Sequence, residues 1–126
     1  MLRYSGPLQM ATERYATANV TVAGIAIPRG ALVYVVLASA NRDEAAFSSA
    51  ARFDIARQPN RHLAFGHGIH YCLGAPLARL EGQIAIRMLL ERFGRIGLQA
   101  TSLRELRWRR GLVLRGLEAL PVWLSS

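Results

Sequence analysis

The sequence contains no lysine. All 16 of its basic residues are arginines, set against eight acidic ones, for a net charge of +8. Guanidinium groups are always charged and planar, and they suit carboxylate or phosphate partners. The arginines are scattered along the chain, and only residues 104–110 form a cluster. A face for an acidic partner protein and a simple genomic bias toward arginine both account for that distribution. Cysteine is almost as scarce: Cys72 stands alone, which excludes an intrachain disulfide. Long apolar runs are also missing. The longest, residues 31–38, falls far short of the roughly 20 residues a membrane-spanning helix needs. Residues 1–9 carry a charge, a glycine and a proline where a secretory signal needs an apolar stretch. Together these absences predict a cytoplasmic protein. What is present, 126 residues of which 52% are hydrophobic, is enough for one folded domain and too little for two. No internal repeat or low-complexity segment interrupts it.

Residues 1–4 read as the last turn of a helix whose beginning is absent, stopped at Ser5-Gly6-Pro7. A chain that opens one turn before a helix stop is expected to be a piece of something longer. Residues 8–38 carry β signals. Val20-Thr21-Val22 is built of β-formers and Gly24 offers a turn, while Pro28-Arg29-Gly30 suits a turn with proline second and glycine fourth. The run Leu32-Val33-Tyr34-Val35-Val36-Leu37 is expected to be a strand buried on both faces. Asn41 and Glu44 have the spacing of a capping box, which predicts a short helix to about Phe47. Residues 49–64 show no period of either kind. Structureless stretches of that length are uncommon unless they carry function.

Phe65-Gly66-His67-Gly68-Ile69-His70-Tyr71-Cys72-Leu73-Gly74 gathers the only cysteine, two of the three histidines and three glycines. Ala75 and Pro76 then open a helix, proline being tolerated in a first turn. Leu77, Leu80, Ile84 and Met88 recur at helical spacing, and Ala78, Ala85, Leu89 and Phe93 widen the apolar face. So wide a face predicts a buried helix ending at Gly94, and Gly82 inside it predicts a second backbone passing close. Beyond Gly97, residues 106–108, 112–114 and 119–124 read as short strands broken at Gly111, Gly116 and Pro121.

A thiol just ahead of a helix faces unpaired N–H groups and the positive end of the helix dipole, which suits it to act as a thiolate. Glycines around it admit a flat or bulky group close to the backbone. Four readings compete: a buried inert cysteine; a zinc site using His62, His67, His70 and Cys72; a cysteine nucleophile with a histidine base; and a haem thiolate.

The pattern Phe65-Gly66-x-Gly68-x-His70-x-Cys72-x-Gly74 resembles the haem-binding signature of the cytochrome P-450 monooxygenases, with no required position missing. The resemblance extends to Ala40-Asn41-Arg42-Asp43, to Arg52-Phe53-Asp54 in the irregular "meander", and to Asn60-Arg61-His62-Leu63-Ala64-Phe65. Ala75-Pro76-Leu77-Ala78-Arg79-Leu80-Glu81 and Gly116-Leu117-Glu118-Ala119-Leu120-Pro121 are similar to the soluble bacterial branch. It implies an α+β segment of the mostly α cytochrome P-450 fold: a short β-sheet, the meander, the cysteine loop, a long helix and C-terminal β hairpins.

The resemblance further implies haem b, iron protoporphyrin IX, as cofactor, with Cys72 as the axial metal ligand that favours O–O cleavage. His70 and Arg14 match positions that contact haem propionates. Phe65 packs beside the sulfur side of the ring in the family, with Gly66 in the same loop, and Gly74 and Ala78 lie against the porphyrin. Met10 with Ala11, and Val113 with Leu114, match segments that line the substrate pocket. Arg57, Arg61 and Arg79 are expected to face an acidic electron donor of ferredoxin or flavodoxin type. The implied reaction is insertion of one atom of O2 into a lipophilic small molecule, with neither a nucleic acid nor a membrane as partner.

The family's Glu-x-x-Arg pair is incomplete: Arg3 fits the arginine and Arg52 its meander partner, but the glutamate falls one position before Met1. Two buried arginines without their carboxylate are expected to be costly. The helix that crosses the oxygen side of the haem is also missing. Residues 1–126 therefore resemble the C-terminal part of a cytochrome P-450 domain without its N-terminal two-thirds, as a truncated or incompletely assembled gene product. No catalytic residue beyond the haem ligand is expected within it, and alone it is expected to be inactive. Two alternatives belong to other classes: a non-catalytic haem-binding remnant, and a basic nucleic-acid-binding protein built on the cluster around Trp108.

Overall fold

The computed structural model describes residues 1–126 and divides them into two units, Met1–Gly66 with Gly111–Arg115, and His67–Arg110 with Gly116–Ser126. In the first unit, α1 (Leu2–Ser5) is one helical turn that stops before Pro7, as the sequence predicts. It is followed by β1 (Arg14–Tyr15), β2 (Val20–Val22), β3 (Ile25–Ile27) and β4 (Leu32–Val33). β1 pairs antiparallel with β4, Arg14 opposite Val33. β2 pairs with β3 in a hairpin, Val22 opposite Ile25.

Several expectations change here. The turn after β3 starts at Pro28, whose carbonyl accepts from Ala31 N–H at 3.1 Å, so proline is first and Gly30 third. Gly30 has φ +85°, the value that third position needs and that glycine adopts without strain. The apolar run from Leu32 is a strand for only two residues. Tyr34, Val35 and Val36 are exposed, and Leu37 already belongs to α2 (Leu37–Ala40). Asn41 is the C-terminal cap of α2 and not the start of a helix. Its side chain accepts from Leu63 N–H at 2.7 Å, and Glu44 accepts from Ala50 N–H at 3.0 Å. Both capping-box residues are thus engaged with later chain, and residues 41–52 run through turns and bends. Residues 49–64 contain no helix or strand, as expected.

The first unit is organised around a buried arginine. Arg3 is 5% exposed, and its guanidinium donates to the carbonyls of Asn41 (2.7 Å), Ala50 (2.9 Å) and Arg52 (3.2 Å). It also lies 5.0 Å from the centre of the Phe47 ring. Leu37, Phe47 and Ala50 are buried with it. Arg52 offers only its carbonyl; its side chain is exposed, so one arginine and not two is buried without a carboxylate. Burial, and then the nearby charges of Arg57 and Arg42, lower the Arg3 pKa from its ordinary value. Three carbonyl acceptors offset part of that cost.

The second unit holds two 3₁₀ turns, at Gly68–His70 and Leu103–Glu105, and between them α3 (Ala75–Arg92), with Pro76 in its first turn and Arg92 in its last. β5 (Arg95–Leu98) follows, and β6 (Val122–Ser125) pairs with it antiparallel. The strands expected at 106–108 and 112–114 shrink to isolated bridges, Trp108 with Leu117 in this unit and Leu114 with Leu8 in the first. The expectation of a buried α3 is overturned. Only Ala75 is buried, while Leu77, Leu80, Ile84 and Met88 are 60%, 53%, 39% and 61% exposed. Nothing lies within 4 Å of where a Cβ on Gly82 would stand, so no second backbone passes there. The accessible surface is 10326 Å². A monomer of 13.9 kDa is expected to expose roughly 6,700 Å². The apolar face of α3 belongs to that excess.

Candidate haem-thiolate site

The cysteine loop obtains its form from glycine. Gly66 has φ +74° and Gly68 φ +73°, a left-handed backbone that other L-residues adopt only at a cost. Gly74 needs no such freedom, since its φ is −81° as the cap of α3. A Cβ there would stand 3.9 Å from Cys72 Sγ, in ordinary van der Waals contact, so the thiol itself would tolerate a side chain at this position. The backbone then turns into the helix through Tyr71 N–H to the Gly68 carbonyl (3.0 Å), Ala75 N–H to the Cys72 carbonyl (3.1 Å) and Ala78 N–H to the Gly74 carbonyl (2.9 Å).

Cys72 is exposed, which removes the reading of a buried inert thiol. Its neighbours Ile69 and Leu73 are each 98% exposed. Apolar side chains held that far out beside a thiol suit a flat apolar ligand better than water. No three His, Cys, Asp or Glu side chains come together as a metal-holding group, so the zinc reading loses its ligand set. One soft sulfur donor, a glycine-cleared backbone and exposed apolar flanks fit a haem.

The other expected residues divide between the units. His70, Gly74 and Ala78 share the second unit with Cys72. His70 closes the 3₁₀ turn, and Ala78 is in the first turns of α3. Met10, Ala11, Arg14, Phe65, Gly66, Val113 and Leu114 are in the first unit. There the two expected substrate segments are brought together: Gln9 N–H donates to the Val113 carbonyl at 2.8 Å and Leu8 bridges to Leu114. Arg14 is half-buried in β1 and donates to Thr12 Oγ1 at 2.7 Å and the Glu13 carbonyl at 3.2 Å. The half-buried Phe65 ring lies 6.2 Å from that of His62. Arg57 is turned inward: it donates to the Ser48 and Ser49 carbonyls, and its Nε is buried without a partner. A cavity of about 510 Å³ in the second unit, lined by Glu105, Leu106, Arg107 and Glu118 among others, contains none of the expected residues.

Two residues escaped the sequence reading. Asn41 holds the segment leading into the loop through Leu63, a role hidden by its capping-box spacing. Tyr71, between His70 and Cys72, accepts a 2.9 Å hydrogen bond from Arg79 Nη1. An aromatic residue eight positions before an arginine across a helix start was the available signal.

The family model for Cytochrome P450 matches residues 1–114. The chain belongs to the cytochrome P-450 family. It is 49% identical over 126 residues to the polyketide biosynthesis cytochrome P450 PksS of Bacillus subtilis (strain 168), covering 100% of this chain and 31% of that protein. To the cytochrome P450 monooxygenase PikC of Streptomyces venezuelae it is 52% identical over 122 residues, covering 97% and 29%. Among solved structures, tirandamycin C-bound P450 monooxygenase TamI superposes with a TM-score of 0.94 at 47% identity, over 98% of this chain and 31% of that one. P450BioI in complex with an acyl carrier protein gives 0.91 at 47% identity, over 98% and 31%. The chain thus spans about 30% of the length of the curated relatives it matches. Members of the family use haem b, and the similar proteins are named as monooxygenases and hydroxylases. The small sheets, turn-rich segment and single long helix are those of a partial cytochrome P-450 fold.

Proposed function

We propose that residues 1–126 form the C-terminal part of a cytochrome P-450 domain and supply the thiolate side of a haem-dependent monooxygenase. The observation that carries the proposal is the exposed Cys72 thiol, set between two glycine-determined bends and the start of α3 and flanked by exposed Ile69 and Leu73. Cys72 Sγ would ligate the iron, with Gly74 and Ala78 giving the ring room and Phe65 and Gly66 bordering the sulfur side. His70 and Arg14 would pair with the propionates, charge-assisted contacts that fix the ring's orientation. When bound, the haem supplies O2 activation and insertion of one oxygen atom into a lipophilic substrate.

Met10, Ala11, Val113 and Leu114 would border that substrate. The backbone bond from Gln9 to Val113 supports this by holding the two segments side by side. Similar proteins include a 6-deoxyerythronolide B hydroxylase and the polyketide enzyme PksS, which supports a bulky lipophilic substrate here. The all-arginine basic balance supports an acidic electron donor of ferredoxin or flavodoxin type, and Arg61, exposed ahead of the loop, is a contact for it. No helix is long and apolar enough to cross a membrane. The lone thiol supports a cytoplasmic location. The chain spans about 30% of the length of the monooxygenases it resembles, and the 126-residue chain by itself is proposed to be inactive.

The test is haem reconstitution followed by the reduced, CO-bound spectrum of the wild type and Cys72→Ala. A red-shifted Soret band that the substitution abolishes supports thiolate ligation. The same spectrum from both proteins, or no haem uptake by the wild type, overturns the proposal for this chain. Substrate turnover by the purified chain would overturn its inactivity.

A further inference from the structure

We infer that Tyr71 and Arg79 form a brace that sets the direction in which Cys72 presents its thiol, an inference that rests on the haem-thiolate reading above. Arg79 Nη1 donates to the Tyr71 hydroxyl at 2.9 Å. Tyr71 immediately precedes the cysteine, and Arg79 sits in the second turn of α3. The bond therefore ties the residue before the ligand to the helix that follows it.

The loop has particular need of such a tie. Ile69 and Leu73 are almost fully exposed and contribute almost no packing. Gly68 and Gly74 have no side chains, and a Cβ on Gly68 would meet nothing within 4 Å. Backbone bonds from Tyr71 to Gly68 and from Ala75 to Cys72 fix the two ends of the turn. They leave the rotation of the segment between them to side chains. A guanidinium suits this role because it is planar, always charged and rooted in a helix, and a hydrogen bond from a charged donor is stronger than a neutral one. Arg79 and Tyr71 both reach solvent, so the brace acts on local opening of the loop and little on global stability. Tyr71 and Arg79 are positioning residues, since neither is placed on the iron or the substrate.

The test is peptide-resolved hydrogen exchange of the full chain over residues 69–78, where Tyr71, Ala75 and Ala78 carry bonded amides. Tyr71→Phe and Arg79→Gln are each expected to speed exchange there about five-fold, as loss of one average hydrogen bond implies. The β5–β6 pair should be unchanged. The double variant should be no faster than either single one, and Arg79→Lys should restore part of the protection. Additive effects, or an effect of Arg79→Gln without one of Tyr71→Phe, would overturn the brace. In the haem-loaded chain both single variants should lower the thiolate-ligated fraction in the reduced CO spectrum to the same degree. A wild type that takes up no haem counts against the haem reading alone, and the exchange result still decides the brace.

Discussion

The Asn41 carbonyl accepts a 2.7 Å hydrogen bond from the buried Arg3 guanidinium, joining α1 to the end of α2. Asn41 is itself 3% exposed and passes the connection on to Leu63. Removing Arg3 leaves the Asn41 and Ala50 carbonyls without their donor. Arg3→Ala is expected to cost about 2–4 kcal/mol in the first unit. Arg3→Lys should recover less than half of this, because an ammonium cannot serve three carbonyls in a fork. Urea unfolding of the three proteins measures both, and equal midpoints would contradict the role given to Arg3.

Tyr34 donates to Glu13 Oε1 at 2.7 Å, and chiefly through that bond its phenol is raised above its ordinary 10.0. A raised folded value means the contribution of the bond is complete below about pH 10 and is lost as the pH climbs through the raised value. In a phenolate absorbance titration, Tyr34→Phe should remove a late-titrating component. Glu13→Gln should bring that component to lower pH. A titration curve identical in all three proteins would refute the assignment.

Gly97 in β5 stands opposite Trp123 in β6, and a Cβ on it would overlap the indole ring. Gly97→Ala must displace the ring, at an expected cost of about 1–3 kcal/mol. A shift in tryptophan emission with loss of β5–β6 exchange protection would report it, and Trp123→Ala should make Gly97→Ala harmless.

The apolar stripe of α3 should bind a hydrophobic dye in the native chain. Replacing Leu80 and Ile84 together by glutamate should reduce dye fluorescence at least two-fold. Far-ultraviolet circular dichroism should change little, since neither side chain is buried. Loss of the helix signal instead would show that the stripe is covered in solution.

What the sequence revealed was mostly local. The cysteine loop and α3 were legible because fixed glycines, Pro76 and a regular apolar spacing act within a few residues of one another. Asn41 and Glu44 misled because a capping box is also local, whereas their partners, Leu63 and Ala50, lie further along the chain. β5 was not legible in the sequence, since Arg95-Ile96-Gly97-Leu98 becomes a strand by pairing with Val122–Ser125. Apolar runs at Leu32 and along α3 encode burial that this length of chain does not itself provide.

The open face of α3 bears on how the chain melts. A helix with one buried residue in eighteen exposes little new apolar surface when it unwinds. The heat-capacity step on unfolding should therefore fall below the roughly 1.5–1.9 kcal/mol/K that a chain of this length ordinarily shows. The denaturant slope should be shallow for the same reason. Calorimetry of the chain would then trace a broad, weakly cooperative transition, closer to helix–coil fraying than to the collapse of a core.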